Sequence, residues 1–501
     1  MESPKMKGDM KKYQVFIGNS WRDSASGETF PTYNHFTGEP WAEIPKCDAR
    51  DVDLAVNAAH DALYEGPWGR MTATERGALM RKLGDLVVRE TEALSAVEVR
   101  DNGKLLAEVS GQVRYIPQWL YFYGGLADKI NGAVIPIDKP SMFAYTLREP
   151  VGVVAAIVPW NSPLMLMIWK LAPALAAGCT LVIKPSEHTS ASALEFAALV
   201  REAGFPDGVV NVVTGFGKEV GDPLTSHPKV AKVAFTGGEG AAKTIVENSA
   251  STFKALTLEL GGKSAQIVFP DADLDAAISG GIAGIFAATG QTCIAGSRLL
   301  VHESIYDRYL EDFVSLAQKT RMGDPMDLKT QVGPVTTQPQ FDRIVSYIEI
   351  AKSEGARCVM GGGPAMRPEC GTGWFIEPTV FADVDNGMRI AQEEVFGPVV
   401  SVIPFKDDED AYRIANDTRF GLAAGVWTSS IKRATVAPKR LRAGTVWVNT
   451  YRAASFLMPF GGVKASGIGR ENGVEAIDEY LETKSVWLSY DAETRNPFVM
   501  R

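Results

Sequence analysis

The sequence predicts an α/β protein of two domains, the first built on a doubly wound parallel sheet, and three observations lead to this fold class. At 501 residues the chain is too long for a single hydrophobic core. Between residues 147 and 235, short apolar runs of strand length alternate with helical segments, which is typical of parallel strands covered by helices on both faces. A second series of the same kind begins after residue 262.

The first series follows an N-terminal stretch with a predicted β-hairpin segment, residues 13–45, and predicted helices over residues 48–60 and 72–102. The series itself has predicted strands at residues 147–158, 182–185, 209–214 and 230–235 and predicted helices at residues 164–177 and 190–203. Repeated units of this kind match a nucleotide-binding domain. We assign it to residues 1–131 and 151–261.

The second series predicts a separate α/β domain, assigned to residues 262–478. Its predicted strands are residues 264–269, 298–301, 375–380 and 399–404, and its predicted helices are residues 274–288, 304–320 and 408–416. Two further strand-like stretches, residues 144–147 and 484–490, lie outside both patterns. They predict a small β sheet or an arm that pairs with another subunit, assigned to residues 132–150 and 479–501, although ordinary edge strands remain an alternative.

Composition excludes several classes of protein. The net charge of −9 argues against a nucleic-acid partner. The five cysteines have neither a C-x-x-C pair nor a disulfide framework, which favours a reduced, cytoplasmic protein, and no metal site is predicted. Gly or Pro interrupts every apolar run before membrane-spanning length, so no membrane segment is expected.

Residues 287–298 contain one cysteine, Cys293, among small and polar residues. A buried structural cysteine usually lies among large aliphatic residues, so this context indicates an accessible sulfur. An ordinary small-residue loop is the alternative, because a single cysteine without partners defines no chemistry.

Two polar groups follow predicted strands of the first domain. Asn161, in Val158-Pro-Trp-Asn-Ser-Pro-Leu, can donate its amide N–H to a developing oxyanion, or can instead cap the helix that follows. Lys184 and Glu187, just past the next strand, can bind the hydroxyls of a ribose, and the carboxylate would repel a 2′-phosphate. An exposed surface ion pair is the alternative for these two residues.

Three further stretches complete the set of candidate residues. Gly237 and Gly238 lie between a strand and a helix start, where backbone N–H groups and the helix dipole suit a pyrophosphate. Glu259, at the junction of the two domains, is a candidate general base that acts through a water to release an acyl group from a thioester. Glu394 and Phe396 can hold a nicotinamide riboside.

Together with Pro459-Phe-Gly-Gly-Val-Lys-Ala-Ser-Gly-Ile-Gly-Arg-Glu, these stretches resemble the aldehyde dehydrogenase superfamily, in its non-acylating, NAD(P)-dependent branch. The resemblance extends from about residue 13 to about residue 488. It implies a Rossmann-like cofactor domain, an α/β catalytic domain and an oligomerisation arm in a homodimer or homotetramer. It also implies the oxidation of a small-molecule aldehyde to its carboxylic acid, with NAD as cofactor and NADP less favoured.

The resemblance implies a role for each site residue. Cys293 forms a thiohemiacetal and then a thioester, Asn161 and the backbone N–H of Cys293 hold the oxyanion, and Glu259 activates the hydrolytic water. The implied cofactor ligands are Lys184, Glu187, Gly237, Gly238, Glu394 and Phe396, with Trp160 on the adenine side. Lys170 and Glu482 match proposed proton-relay positions, although a helix-surface ion pair explains either.

The glycine turn departs from the family pattern, because Gly238, Glu239 and Ala242 stand where the family usually has serine, threonine and glycine. The departure removes a hydroxyl that commonly bonds the pyrophosphate and brings a carboxylate close to the phosphates.

The substrate is expected to be a bulky or apolar aldehyde. The expected tunnel residues are Met165, Trp169, Ala287, Thr292, Ile294, Phe456 and Met458. Ala287 stands where many relatives have an aromatic residue, which widens the tunnel, whereas Arg452 can pair either with a substrate carboxylate or locally. Two alternatives remain: an acylating enzyme that uses coenzyme A, and a cofactor-independent thiol hydrolase or non-catalytic relative, for which His302 is the nearest histidine in sequence to Cys293.

Overall fold

The computed structural model describes residues 10–490 and Phe498. The strands are β1 (Lys11–Lys12), β2 (Val15–Ile17), β3 (Ser20–Arg22), β4 (Thr29–Tyr33), β5 (Pro40–Pro45), β6 (Val134–Ile135), β7 (Met142–Pro150), β8 (Val153–Ile157), β9 (Thr180–Lys184), β10 (Val210–Val212), β11 (Val230–Thr236), β12 (Ala255–Glu259), β13 (Ala265–Val268), β14 (Arg298–His302), β15 (Arg357–Met360), β16 (Thr379–Ala382), β17 (Val399–Phe405), β18 (Ala423–Trp427), β19 (Thr445–Val448), β20 (Gly467–Ile468) and β21 (Leu481–Ser489). The helices are α1 (Ala49–Tyr64), α2 (Ala73–Arg89), α3 (Thr91–Asn102), α4 (Leu106–Tyr115), α5 (Pro117–Leu126), α6 (Pro163–Ala177), α7 (Ala191–Ala203), α8 (Asp222–Ser226), α9 (Glu239–Ala250), α10 (Leu274–Phe286), α11 (Tyr306–Ala317), α12 (Gln338–Ser353), α13 (Arg389–Gln392), α14 (Asp408–Asn416) and α15 (Ile431–Arg440).

The first sheet has the strand order β20-β12-β11-β8-β9-β10-β2-β3, and β8 to β12 are mutually parallel. Successive residues of these strands pack alternately into the hydrophobic cores on the two faces of the sheet. Ala156 and Ile183 pack on one side, whereas Ala155 and Val182 pack on the other. Burial on both faces explains why these strands appear in the sequence as nearly continuous apolar runs.

The strand order reverses between β8 and β11. From β8 the chain adds β9 and β10 on one side of the sheet, and it then returns to place β11 and β12 on the other side. In open parallel sheets, ligands bind in the crevice outside the carboxyl ends of the strands at such a reversal. The fold therefore directs a ligand to the loops that follow Ile157 and Thr236.

The second sheet has the order β15-β16-β17-β14-β13-β18-β19, with β15 alone antiparallel to its neighbour. It also lies between two cores. The α/β fold class with a Rossmann-like first sheet is thus confirmed. Apart from β20, which pairs with β12, the strands of the first sheet end with β12 at Glu259 and those of the second begin with β13 at Ala265.

The third sheet joins β21, β7 and β6, and its register runs from Leu481 opposite Pro150 to Ser489 opposite Met142. This confirms the small β sheet. Residues 491–497 and 499–501 of the predicted arm lie outside the described residues. None of the helices within residues 10–490 combines the length and apolar composition that crossing a bilayer requires.

Some predicted elements differ at their ends. The helix predicted over residues 274–288 ends at Phe286, because Ala288 and Thr289 have left-handed φ angles of 52° and 55°. The helix predicted over residues 72–102 is divided at Glu90 into α2 and α3. Helices α4 and α5 were not predicted.

Candidate active site

A cavity of about 760 Å³ lies at the reversal of the first sheet, between the two large sheets. This volume is within the usual range for small-molecule sites. The first sheet and its loops contribute Pro159, Trp160, Asn161, Leu166, Thr236, Gly237, Gly238, Glu239, Gly240, Glu259, Leu260 and Gly261. The second contributes Cys293, Gln340, Arg343, Tyr347, Gln392, Glu393, Glu394, Phe396, Arg419 and Phe420. Residues that are distant in sequence therefore share one cavity.

The loop that carries Cys293 begins with three consecutive residues of positive φ, Ala288, Thr289 and Gly290. For alanine and threonine this conformation costs about 1–3 kcal/mol each, and it persists only where the surroundings hold it. Thr289 is held through its hydroxyl, which donates to the carbonyl of Gly333 at 3.2 Å. The strain is concentrated next to the one cysteine that lines the cavity.

The Cys293 thiol is half-buried, and its pKa is raised to about 12. Burial is the main cause, and the carboxylates of Glu394 and Glu259 add to it. The thiol is therefore protonated at neutral pH in this state of the protein, and formation of a thiolate requires a base or a nearby positive charge.

Asn161 follows β8 and donates its side-chain N–H to the carbonyl of Gln291 at 2.9 Å. An amide group has two N–H donors, so this bond orients the group and leaves the second donor for a ligand. The helix-cap alternative is not supported, because Ser162 occupies the N-cap position of α6 and the N–H of Leu164 bonds Glu98 at 3.1 Å.

Glu259 ends β12 and is only 4% exposed. Neither of its carboxylate oxygens has a hydrogen-bond partner among the described residues. Burial raises the pKa of Glu259 well above its usual range; Glu471 raises it further and Lys170 opposes the shift. A buried, unpartnered carboxyl group in a cavity is typical of a functional site.

Lys170 is fully buried on α6, so a helix-surface ion pair does not explain it. Its ammonium group donates to the hydroxyl of Thr236 at 2.6 Å and forms a buried ion pair with Glu471. The other relay candidate, Glu482, lies exposed on β21. The sequence reasoning missed Glu471, whose signal was its place at the end of the family-like segment 459–471.

The glycine turn lies between β11 and α9. A Cβ atom on Gly237 would lie 2.5 Å from the Phe235 ring, whereas one on Gly238 or Gly240 would meet no atom within 4 Å. The N-terminus of α9 therefore opens onto free space in the cavity, as a bound pyrophosphate requires. Within the described residues, no group of three or more His, Cys, Asp and Glu side chains is arranged to hold a metal ion.

Glu394 accepts a hydrogen bond from the N–H of Gly262 at 3.0 Å, and burial raises its pKa to about 7. A Cβ atom on Gly261 would lie 2.3 Å from the Glu394 carboxylate, so a residue with a side chain would clash at position 261. Phe396 packs edge to face on Trp160, with ring centroids 5.2 Å apart. The Trp160 ring therefore lies against Phe396, one of the residues expected to hold the nicotinamide riboside, and its expected place on the adenine side stays a prediction.

Lys184 ends β9, the strand next to β8, Glu187 follows three residues later, and their charged atoms are 3.7 Å apart. They do not line the cavity described above. Lys184 is buried, so this pair is not the exposed surface pair considered as an alternative.

The expected substrate residues do not form a single group. Ala287, Thr292 and Ile294 are half-buried in the loop around Cys293. Met165 is half-buried on α6, the helix whose Leu166 lines the cavity. Met458 is 66% exposed.

Trp169 and Phe456 belong to an aromatic cluster centred on Trp119. The Trp119 ring stacks on Trp169 at 6.0 Å and meets Phe456 edge to face at 5.9 Å. Tyr115 and Phe122 also contact Phe456. The sequence reasoning missed these partners on α4 and α5, although the aromatic run within residues 115–123 was a signal.

Arg452 bonds locally, donating to the carbonyl of Ala283 at 3.0 Å and lying 4.0 Å from Glu108. The hydrolase alternative also lacks support. His302 bonds the Ser304 hydroxyl at 2.8 Å, and none of the five histidines lines the cavity.

A doubly wound sheet whose reversal opens onto a cysteine and buried carboxylates is the arrangement of a nicotinamide-dependent oxidoreductase. The aldehyde dehydrogenase family model matches residues 21–486, and the chain belongs to this family. It is an enzyme that oxidises aldehydes to acids with a nicotinamide cofactor.

Several known proteins are similar over nearly the whole chain. (Z)-2-((N-methylformamido)methylene)-5-hydroxybutyrolactone dehydrogenase of Acinetobacter baylyi is 48% identical over 98% of this chain and 100% of its own length. Human mitochondrial aldehyde dehydrogenase is 46% identical over 94% of this chain and 91% of its own. The NAD+ complex of a Bacillus cereus aldehyde dehydrogenase has a TM-score of 0.94 at 44% identity, covering 96% of this chain and 97% of that chain.

Proposed function

We propose that this enzyme oxidises a bulky, apolar aldehyde to its carboxylic acid, with NAD preferred over NADP and Cys293 as the nucleophile. The observation that carries this proposal is the shared cavity, which brings Cys293, Asn161 and Glu259 together with the N-terminus of α9. NADH formation from a panel of aldehydes tests it directly. A strict preference for short, charged aldehydes would contradict the substrate assignment.

The first half of the reaction uses Cys293 and Asn161. The Cys293 thiol gives its proton to a base or to water, its sulfur attacks the aldehyde carbon to form a thiohemiacetal, and the negative charge develops on the former carbonyl oxygen. The free N–H of Asn161 and the backbone N–H of Cys293 donate to that oxygen. Because the bond from Asn161 to the carbonyl of Gln291 already orients the amide, the donor requires little reorganisation.

The second half uses Glu259. A carboxylate at this position accepts a proton from the water that attacks the thioester, which releases the acid and regenerates the thiol. The raised pKa of Glu259 makes it a stronger base than an exposed carboxylate. Lys170, Thr236 and Glu471 form a buried hydrogen-bonded group, and the charges of Lys170 and Glu471 act on the pKa of Glu259.

The residues present fit a nicotinamide dinucleotide. The N–H groups of residues 238–240 would hold the pyrophosphate, Glu394 and Phe396 the nicotinamide riboside, and Lys184 and Glu187 the adenosine ribose. The bound cofactor supplies the hydride acceptor. The NAD+ complexes of structural relatives, including Staphylococcus aureus betaine aldehyde dehydrogenase at 39% identity and a TM-score of 0.96, support this fit.

Glu187→Gln should raise kcat/KM with NADP about tenfold and change kcat/KM with NAD far less. The substitution removes a charge that repels a 2′-phosphate, and tenfold corresponds to a modest repulsion at a partly exposed site. Steady-state kinetics with both cofactors measure the ratio. Glu202→Gln, which removes an exposed carboxylate at the far end of α7, is the matched control. An unchanged ratio would contradict the role of Glu187.

Ala287→Phe should lower kcat/KM for an aromatic aldehyde by more than about tenfold and spare acetaldehyde. Residue 287 precedes Cys293 in the same loop, where an added ring is expected to narrow the proposed substrate tunnel, and one misfit in an apolar pocket changes specificity by about 10–200-fold. Parallel kinetics with benzaldehyde and acetaldehyde measure the effect. Equal losses for both aldehydes would show that residue 287 does not select substrate size.

The arm is proposed to join subunits into a homodimer or homotetramer. Its sheet exposes large apolar side chains, with Val134 at 67%, Trp487 at 57% and Leu488 at 48% exposure. Such side chains on an edge strand are typical of a contact surface. The cytoplasm is the proposed compartment, because all five cysteines are free.

A further inference from the structure

An ion pair crosses the cavity between the two large sheets. Glu239 is the first residue of α9, and Arg419 lies between α14 and β18. One carboxylate oxygen of Glu239 pairs with Arg419, and the other pairs with Lys243 at 3.0 Å. Both Glu239 and Arg419 line the cavity. The pair therefore lies where the dinucleotide phosphates would bind.

The contact between Arg419 and Glu239 is easily exchanged. The Arg419 side chain is 56% exposed, and exposed ion pairs contribute little to stability. Glu239 keeps Lys243 as a partner when Arg419 leaves, so no carboxylate remains unpaired. The Arg419 guanidinium also lies 4.9 Å from the centre of the Phe420 ring, which keeps it near the cavity wall.

A pyrophosphate is a stronger partner for arginine than Glu239 is. The planar guanidinium binds phosphate oxygens through two parallel hydrogen bonds, and a pyrophosphate carries more negative charge than one carboxylate. Gly238 and Gly240, on either side of Glu239, leave the N-terminus of α9 open to the same space. The buried, unpartnered carboxylate of Glu259 in this cavity is independent evidence that it receives a ligand.

We propose that Arg419 is a pyrophosphate ligand that Glu239 holds while the dinucleotide is absent. Glu239 and the cofactor then compete for the Arg419 guanidinium, so the ion pair between Glu239 and Arg419 lowers the affinity for the cofactor. The glycine turn lacks the hydroxyl that commonly bonds the pyrophosphate, and Arg419 compensates for it from the other domain. This inference rests on the proposed function, because it assumes a dinucleotide in the cavity.

Isothermal titration calorimetry on the full chain without aldehyde tests the proposal, with NAD+, ADP-ribose and adenosine as ligands. Arg419→Ala should raise the Kd for NAD+ and ADP-ribose about tenfold, the usual scale for a lost charge-assisted hydrogen bond, and leave adenosine binding unchanged. Glu239→Gln should lower the first two Kd values about threefold, as expected for a modest competing charge. The decrease in Kd caused by Glu239→Gln should be smaller when Arg419→Ala is also present, because that double variant lacks the guanidinium for which Glu239 competes.

Arg413→Ala is the matched control, because Arg413 is exposed on α14 and pairs with Asp410 outside the cavity. It should leave every Kd unchanged, and circular dichroism should show that all variants unfold at similar temperatures. Unchanged ADP-ribose binding in Arg419→Ala would overturn the inference, as would weaker binding in Glu239→Gln. If the wild-type protein binds NAD+ and ADP-ribose, either of these two outcomes leaves the proposed function intact. If the wild-type protein binds neither ligand, both the inference and the proposed function are overturned.

Discussion

Cys293→Ser protein should form NADH from aldehydes at least about 10³-fold more slowly than the wild type. A serine hydroxyl is a far weaker nucleophile than a thiolate, and removal of a covalent nucleophile typically costs several orders of magnitude in kcat. The single-turnover rate of NADH formation measures the loss. The Kd for NAD+ should stay close to the wild-type value, since the sulfur carries the chemistry rather than the fold.

Cys358→Ser is the matched control for this loss. Cys358 is also half-buried and forms no disulfide, but it lies on β15 and does not line the cavity. Its substitution should leave turnover unchanged. Wild-type turnover by Cys293→Ser would show that another group attacks the aldehyde.

Glu259→Gln protein should produce one burst of NADH per active site and then stall. Glutamine cannot accept the proton of the hydrolytic water, so the acyl group should remain on Cys293. Loss of a general base typically lowers the steady-state rate about 10²–10⁴-fold. Stopped-flow absorbance measures the burst, and mass spectrometry of the stalled protein should find the acyl group on the peptide that contains Cys293.

The wild-type deacylation rate should also rise with pH. Because burial raises the pKa of Glu259, the carboxyl group is protonated at pH values where an exposed glutamate is already ionised, and only the ionised form is a base. This rise should be absent in Glu259→Gln. Glu482→Gln is the matched control, since it changes an exposed glutamate on β21 and should keep normal turnover. Normal steady-state turnover by Glu259→Gln would refute the base assignment.

The sequence was sufficient to identify the central strands of the first sheet, because the information for each of them is local, whereas β12 and β20 were not predicted. The strands β8, β9 and β11 are buried on both faces, so each appears as an apolar run bounded by turns and helices. Cys293 and the glycine turn are also recognisable as candidates from local sequence, because each lies in a short stretch of small or polar residues. The sequence also predicted a small β sheet or an arm from residues 144–147 and 484–490, because both stretches alternate in polarity outside any domain pattern, and the structure pairs them as β7 and β21.

Contacts between segments that are distant in the chain could not be predicted from the sequence. Glu471 lies 301 positions from Lys170, and no periodicity relates the two residues. Trp119 lies on a helix that the sequence did not predict, and its stacking on Trp169 depends on how α5 packs against α6. The orientation of Trp160 depends in the same way on Phe396, which belongs to the other sheet.

The sequence alone therefore determined the α/β class, the family resemblance and the residues able to react, because strand burial and short polar stretches are properties of neighbouring residues. Only the tertiary structure showed which of these residues share a cavity. It also showed that Lys170 forms its ion pair with Glu471 rather than Glu482, and that Arg419 forms an ion pair with Glu239. These contacts arise where the strand order of the first sheet reverses and where the second domain packs against it, and only folding brings such positions together.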